Sequence, residues 1–169
     1  MGLTKSILTT ERLQIREMEG DDVDHLLSIF GDNETMNYYP SCKDRHETIN
    51  WIRWTQENYD KYGIGMWIVE DRGGIFLGQC GLVLQKMDGK IEVQIGFLFA
   101  KDHWGNGYAT EAALACKAYG FDQMKFPSLI SIVDPRNKPS VKVLKRIGMV
   151  RKKKVVKWDK IFDLYTCYR

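Results

Sequence analysis

The pattern of apolar positions predicts a chain in which strands and helices alternate. Between residues 12 and 16 polar and apolar side chains alternate, with Leu13 and Ile15 on one face, as in a half-buried strand. Apolar residues then recur at helical spacing from Val23 to Phe30, after Asp21 as the predicted N-cap. The chain therefore opens with a strand followed by an amphipathic helix.

A second helix and three strands are predicted in the middle of the chain. The helix begins at Asp44, where Glu47 completes a capping box, and ends at Tyr62 before Gly63. Apolar segments separated by glycine-containing turns then predict an antiparallel meander. Its strands cover residues 66–70, 75–84 and 90–99.

The last third of the chain predicts a crossover and a hairpin. A helix from Thr110 to Met124 separates the strand at 90–99 from a buried strand at 129–133, and such a crossover makes the two strands parallel. A further helix lies between Asn137 and Gly148, and a hairpin closes the chain with strands at 155–157 and 161–168. We therefore predict an α/β (α+β) fold with a mixed, mostly antiparallel central sheet and helices on both faces.

Composition narrows the function classes. The 169 residues suit a single domain, residues 1–169, and the net charge of +3 is too small to indicate nucleic acid or membrane binding by field alone. No apolar run reaches the length of a signal peptide or a membrane span, which favours a cytoplasmic protein. The four cysteines and three histidines show no zinc-ligand spacing, so no metal site is expected.

The segment 104–111 carries the clearest chemical signal. It reads Trp-Gly-Asn-Gly-Tyr-Ala-Thr-Glu and connects a predicted strand to a predicted helix. Glycines let a ligand approach the main chain, and a helix N-terminus carries about half a positive charge, so the segment favours phosphate. The nucleotide patterns G-x-x-x-x-G-K-[ST] and G-x-G-x-x-G are both absent. Neither a nucleoside triphosphatase nor a nicotinamide enzyme is therefore favoured.

This segment resembles the coenzyme A loop of the GNAT superfamily of acyl-CoA N-acyltransferases, Gln/Arg-x-x-Gly-x-Gly/Ala. Gly107 and Ala109 occupy the two small positions, while Trp104 stands where Gln or Arg is usual. Three further motifs, in this order, are similar to the branch that includes the ribosomal-protein N-terminal acetyltransferases, and the resemblance spans nearly the whole chain. They are Thr10-Glu11-Arg12-Leu13, Asn137-Lys138-Pro139-Ser140 followed by Lys145-Arg146-Ile147-Gly148-Met149, and Asp163-Leu164-Tyr165.

The resemblance implies an acetyl-CoA-dependent N-acetyltransferase in which a neutral primary amine attacks the thioester directly within a ternary complex. The acceptor it implies is an amine, with the N-terminal amine of a ribosomal or other protein as one choice. A small polyamine or antibiotic is another, and a non-catalytic coenzyme A sensor is the alternative to an enzyme. We expect a monomer or homodimer, with no membrane partner and no specific nucleic acid partner.

The resemblance also implies which residues bind coenzyme A. The strand before the loop splays from the next parallel strand, and the pantetheine amides pair with main-chain groups of Phe97, Leu98 and Phe99. These three residues are equally suited to a plain core strand. Asn137 and Ser140 also suit helix capping, and Lys142 suits a solvated face. The full set is Phe97, Leu98, Phe99, Trp104, Gly105, Asn106, Gly107, Tyr108, Ala109, Thr110, Asn137, Ser140 and Lys142.

The catalytic residues are less well defined by the sequence. Many members of the family have a Glu at the position of Gln94 and a Tyr at that of Leu144, and neither residue here can transfer a proton. Glu92 and Asp163 are candidates for the base or the amine-binding group, and both also suit surface or turn positions. Ser140 is a candidate proton donor to the departing thiolate.

Two other segments bear on partners. The basic run 151–154 is typical of an exposed strand edge, with contact to the coenzyme 3′-phosphate or to ribosomal RNA as alternatives. Tyr38, Tyr39, Trp51 and Trp54 fall in the stretch where members of the resembling family shape the acceptor site. By residue type most of them are core aromatics.

Overall fold

Eight strands form one sheet in the computed structural model, which describes residues 5–169. The strand order is β1-β2-β3-β4-β5-β6-β8-β7, and only β5 and β6 pair in parallel. The predicted mixed, mostly antiparallel sheet is thus confirmed, while positions 1–4 of the predicted domain lie outside the described residues. The strands are β1 Ser6–Thr9, β2 Leu13–Arg16, β3 Met66–Asp71, β4 Phe76–Met87, β5 Lys90–Phe99, β6 Ser128–Val133, β7 Val150–Lys157 and β8 Lys160–Tyr168.

Four α-helices cover the sheet. They are α1 Val23–Phe30, α2 Arg45–Tyr62, α3 Tyr108–Ala118 and α4 Lys138–Arg146. A π-helical turn, Tyr119–Gln123, extends α3, so the predicted helix at 110–124 is confirmed with an earlier start. No helix of residues 5–169 is long and apolar enough to cross a membrane.

The ends of the first two helices test the predicted caps. Asp44 Oδ1 accepts from Glu47 N at 2.8 Å and Glu47 Oε1 from Asp44 N at 3.1 Å, which confirms the capping box of α2. Gly63 ends that helix in the left-handed region, as predicted. The predicted cap of α1 at Asp21 is wrong, because a 3₁₀ turn occupies Gly20–Asp22 and α1 begins after Asp22.

The two faces of the sheet have separate cores. Alternate side chains of β3 point to opposite sides: Trp67 and Val69 join the core under α3 and α4, and Met66 and Ile68 the core under α1 and α2. All four are at most 4% exposed. Helices therefore lie on both faces, as the sequence predicted.

Two edge strands extend beyond the sequence prediction. The strand β1 was not predicted, and β7 begins at Val150 rather than 155 because the basic run 151–154 belongs to it. Arg151 Nε lies 3.1 Å from Asp163 Oδ1, and Lys153 pairs with Asp88. Lysines along an outer strand discourage pairing with another chain, which agrees with the interpretation of the run as a strand edge.

The motif Thr10-Glu11-Arg12-Leu13 has a structural explanation in contacts with α3. Thr10 Oγ1 and Arg12 N donate to Glu111 Oε2 at 2.6 and 3.0 Å, and Arg12 Nε donates to Oε1 at 2.6 Å. Partial burial raises the pKa of Glu111, but the hydrogen bonds from Thr10 and Arg12 outweigh it and hold that pKa below its usual value. Glu111 thereby fastens the β1–β2 turn to the first turn of α3.

We predict that Glu111→Gln lowers the free energy of unfolding by about 1–2 kcal/mol at neutral pH, because charge-assisted hydrogen bonds are lost. A carboxylate with a lowered pKa stabilises the fold above its unfolded pKa, and this stability is lost as pH falls through the folded pKa. In urea unfolding, the difference from wild type should therefore shrink below about pH 4. Glu57→Gln, on an exposed position of α2, is the control. A difference that stays constant with pH would contradict the assignment.

Candidate active site

Strands β5 and β6 diverge in the middle of the sheet. Their ladder contains one register pair, Gln94 with Ile130, whereas β4 pairs with β5 along the full length of β5. Past that pair, Ser131 Oγ donates to Ile95 O at 3.0 Å. The remaining part of β5 has an edge with no strand beside it.

The alternation of main-chain groups shows which residues of β5 face this opening. Ala100 N donates to Leu77 O on the β4 side at 2.9 Å, so even-numbered residues of β5 direct their N–H and C=O to β4 and odd-numbered residues direct theirs to the opening. The main chain of Leu98 therefore pairs with β4, which corrects the expectation that it is free for a ligand.

Phe97 and Phe99 differ in which of their main-chain groups remain free for a ligand. The indole Nε1 of Trp104 donates to Phe99 O at 2.8 Å, so this carbonyl is already occupied. Trp104, at the position where the family usually has Gln or Arg, thus closes the end of the opening. Among the residues described, Phe97 is the one on this edge with both main-chain groups facing the opening and no hydrogen bond assigned to them.

A cavity of about 730 Å³ extends from this opening to the start of α3. Every predicted coenzyme-binding residue lines it except Asn106. The side-chain Nδ2 of Asn106 donates to His103 O at 3.0 Å, and the main-chain carbonyl of Asn106 accepts from Arg12 Nη1 at 2.8 Å. Asn106 therefore holds the loop in shape from outside the cavity. The predicted residues on the wall are Phe97, Leu98, Phe99, Trp104, Gly105, Gly107, Tyr108, Ala109, Thr110, Asn137, Ser140 and Lys142.

The loop before α3 presents unpaired N–H groups to this cavity. Gly105 and Gly107 have φ of 81° and 78°, a region that favours glycine. Gly107 is the N-cap of α3 and has no side chain to cap it, and the helical hydrogen bonds begin with Glu111 N to Gly107 O. The N–H groups of Tyr108 to Thr110 thus lack helical acceptors at the positive end of the helix dipole.

Two cations of α4 also line this cavity. Lys142 was predicted, and Arg146, one helical turn later, was not, although the four-residue spacing was a signal for it. Both side chains are exposed. With the N–H groups of α3, they make this part of the cavity suitable for phosphate groups.

Asn137 and Ser140 lie where α4 begins. Asn137 Oδ1 accepts from Ser140 N at 3.4 Å, so Asn137 is the helix cap, and its amide nitrogen is left for another partner. The hydroxyl of Ser140 has no hydrogen bond within residues 5–169, and the alternative that it caps the helix is wrong. Both residues border the cavity.

A second cavity of about 80 Å³ lies on the other side of the opening. Tyr38, Tyr39, Phe97, Asn137 and Ser140 line both cavities, so the two meet there. The smaller one is otherwise enclosed by β5, β6, α4 and the β7–β8 turn. Its remaining lining residues are Gln94, Ile95, Gly96, Ser131, Ile132, Val133, Asp134, Leu144, Lys157, Trp158 and Phe162.

Two polar side chains of the smaller cavity define its chemistry. Gln94 Oε1 is buried and has no hydrogen-bond partner in the described part of the chain. Asp134 is buried and accepts from Arg136 Nη2 at 2.7 Å and Nε at 3.1 Å, and these hydrogen bonds hold the pKa of Asp134 below its usual range. Sequence reasoning missed Asp134, because no local pattern marks a carboxylate at the end of a strand as part of a site.

The predicted carboxylates Glu92 and Asp163 line neither cavity. Asp163 is 7% exposed and lies beside Arg151 on β7. Gln94 itself, two residues beyond Glu92 on the same strand, is the polar residue of β5 that reaches the smaller cavity. Both candidate bases therefore lie outside the set of residues that line the two cavities.

The connection between α1 and α2 supplies the aromatic wall. Tyr38 and Tyr39 border both cavities, whereas Trp51 and Trp54 border neither. Burial raises the pKa of Tyr39. The connection is held across the opening because Tyr38 Oη donates to Arg136 O at 3.3 Å. No group of His, Cys, Asp or Glu side chains within residues 5–169 is arranged to hold a metal ion.

Comparisons with known proteins agree with this geometry. The model of the acetyltransferase (GNAT) domain family matches residues 12–150. The protein YkkB of Bacillus subtilis is 44% identical over 95% of both chains, and the N-acetyltransferase YnaD of the same organism is 32% identical over 94% of this chain and 93% of its own. An acetyltransferase structure from Agrobacterium tumefaciens superposes with a TM-score of 0.85 at 26% identity, covering 100% of this chain and 99% of that one.

A ribosomal L7/L12 α-N-protein acetyltransferase, RimL, solved in complex with coenzyme A, shares the fold at 11% identity. Its TM-score is 0.82 over 97% of this chain and 98% of its own. A split mixed sheet with a glycine loop at the head of a helix defines an acyltransferase of the GNAT type. The chain belongs to the GNAT acetyltransferase family and is an acetyl-CoA-dependent N-acetyltransferase.

We predict that Gly107→Ala weakens coenzyme A binding at least about tenfold, because a Cβ at the helix cap strains the left-handed backbone where phosphate approaches. The new Cβ would also lie 3.4 Å from Arg12 Nη2. Titration calorimetry measures the affinity. Gly89→Ala is the matched control, since Gly89 has φ of 77° in the β4–β5 turn and open space around it. Equal affinities of the two variants would refute the assignment.

Proposed function

We propose that the enzyme transfers the acetyl group of acetyl-CoA to the primary amine of a small acceptor by direct attack within a ternary complex. The observation that carries the proposal is the meeting of two cavities at Phe97 and Ser140. A long cofactor can occupy the larger cavity while a compact amine approaches from the smaller one. The smaller cavity suits a compact acceptor.

In this proposal the coenzyme is bound mainly by main-chain groups. The pyrophosphate lies against the N–H groups of 108–110, and Lys142 and Arg146 contact phosphate groups. The pantetheine arm runs along β5, where a pantetheine N–H donates to the open C=O of Phe97, and Asn137 Nδ2 donates to a pantetheine carbonyl. The unpaired edge of β5 supports this mode, because buried main-chain groups require partners.

The acceptor amine enters from the side of Gln94. A buried carbonyl oxygen without a partner costs about 1–3 kcal/mol, so an amine N–H that donates to Gln94 Oε1 is favoured and oriented. The amine lone pair then attacks the thioester carbon. Orientation of two bound reactants supplies on the order of 7–11 kcal/mol of rate enhancement.

The remaining steps stabilise the oxyanion and transfer protons near Phe97 and Ser140. Phe97 N–H stabilises the oxyanion of the tetrahedral intermediate, a contribution of about 3–4 kcal/mol for such donors. The positively charged nitrogen of this intermediate gives one proton to solvent, the C–S bond breaks, and the departing thiolate takes a proton from Ser140 Oγ, directly or through water. Ser140 regains its proton from solvent, so the products are the N-acetylated amine and free coenzyme A. With the pKa of Asp134 lowered by Arg136, that carboxylate is a weak base, so the amine must bind in its neutral form.

Release of free thiol from acetyl-CoA in the presence of an amine panel tests the proposal. We expect turnover with compact primary amines and little with peptides that present an N-terminal amine. Preference for the peptides would favour a protein N-terminus as the acceptor. Tight coenzyme A binding without turnover for any amine would instead support a coenzyme A sensor.

We predict that Ser140→Ala lowers kcat at least about tenfold and changes coenzyme A affinity and the unfolding midpoint little, because its hydroxyl has no hydrogen bond in residues 5–169 while its N–H keeps the cap. Steady-state kinetics and thermal unfolding measure the two effects. Ser128→Ala, on β6 and outside both cavities, is the control. A loss of stability with unchanged kcat would contradict the role.

A further inference from the structure

The charge balance of the smaller cavity is uneven. Of its described lining residues, Asp134 and Lys157 are the two that carry charge. The negative charge of Asp134 is matched by Arg136, whose Nη2 lies 2.7 Å away. The ammonium of Lys157 has no ion pair and no hydrogen bond within residues 5–169, although the main chain of Lys157 pairs with β8. A positive charge without a counter-ion therefore faces the place where the acceptor must lie.

The surroundings of Lys157 explain why this charge is effective. Lys157 is the last residue of β7, and its ammonium lies over the ring of Trp158, 4.6 Å from the centroid. Burial lowers the pKa of Lys157, and no carboxylate acts against this. A half-buried ammonium without a partner is poorly solvated, so an anion that reaches it is favoured and a second cation is disfavoured.

The other charges near the cavity do not change this balance. Asp163, on the partner strand β8, is held beside Arg151, and Lys160 adds positive charge near Asp134. The uncompensated charge beside the cavity is therefore the positive charge of Lys157.

Within the proposed function, we propose that Lys157 selects the acceptor: the substrate is a compact primary amine that carries a carboxylate or another anionic group a few bonds from its nitrogen. In the bound acceptor the amine donates to Gln94 Oε1 while the anionic group pairs with Lys157 Nζ. Both residues line the same small cavity, so an acceptor with its two groups a few bonds apart can contact both. Polycations are rejected, because their second ammonium would meet that of Lys157.

Three amines of similar length test the proposal: 4-aminobutanoate, butylamine and 1,4-diaminobutane, which end in a carboxylate, a methyl and an ammonium group. We expect kcat/KM to fall in that order, with at least about a tenfold difference between the first and the last. Here kcat/KM is calculated from the concentration of acceptor whose attacking amine is unprotonated. Lys157→Met should remove this preference by raising KM for 4-aminobutanoate at least about tenfold, with kcat and the value for butylamine little changed. Lys157→Glu should reverse the order.

Lys152→Met is the matched control, since Lys152 is an exposed lysine of the same strand outside both cavities and should keep the wild-type order. A wild-type enzyme that prefers butylamine or the diamine overturns the proposal. An equal loss of kcat on all three amines in Lys157→Met also overturns it, because it would indicate a proton-transfer or structural role.

A binding measurement separates this inference from the proposed function. Tryptophan fluorescence, to which Trp158 beside Lys157 contributes, is followed as each amine is added to the enzyme saturated with coenzyme A. Binding of 4-aminobutanoate that is lost in Lys157→Met, without turnover, would support the charge selection and refute the transferase mechanism. Turnover with no preference among the three amines would support the transferase mechanism and refute the charge selection. Absence of both binding and turnover with all three amines would also refute the charge selection.

Discussion

The separation of β5 from β6 after the pair Gln94–Ile130 is the constraint on which the site depends. A sheet that continued its ladder here would satisfy every main-chain group and leave no room between the strands. Ser131 takes the carbonyl of Ile95, and Trp104 takes that of Phe99, so both ends of the opening are closed by side chains. Phe97, between them, keeps its main-chain groups for a ligand. Phe97 is therefore the residue of this edge on which both main-chain groups remain available.

The parts around the opening are held by contacts that are distant in sequence. Glu111 joins the β1–β2 turn to α3, and Arg12 also reaches the carbonyl of Asn106 in the loop. On the other side, Tyr38 contacts the main chain of Arg136. The glycine loop and the aromatic wall are thus each fixed from a different part of the chain, and the unpaired N–H groups of α3 keep their direction without a ligand.

Local signals account for what the sequence predicted well. The helix α2 has a capping box at Asp44 and a left-handed Gly63, and both ends of the helix follow from these residues. Glycine turns define the meander β3–β5, and Asn137 caps α4 as its position suggests. The strand β1 has two adjacent apolar residues, Ile7 and Leu8, and the start of β7 is a run of basic residues. Both were missed, because neither shows the alternation that marks a half-buried strand.

The loop of the site was predictable from consecutive residues, whereas its distant members Phe97, Asn137, Ser140 and Lys142 were predicted only through the family resemblance. The loop 104–110 was found because the glycines and the helix start are contiguous. Asp134, Arg146 and Lys157 were missed, since they reach the cavities only through the packing of β6, α4 and the β7–β8 turn. Glu92 was chosen by its proximity to Gln94 in sequence, and that proximity does not bring its side chain to the cavity wall.

Hydrogen exchange at single amides tests the central claim most directly. In the enzyme without ligand, the amide of Phe97 should exchange at least about tenfold faster than those of Gly96 and Leu98, which are bonded to β4. Saturating acetyl-CoA should slow Phe97 and leave its two neighbours nearly unchanged. If Phe97 is as protected as Leu98 in the free enzyme, or if acetyl-CoA leaves its exchange rate unaltered, the opening between β5 and β6 does not bind the coenzyme.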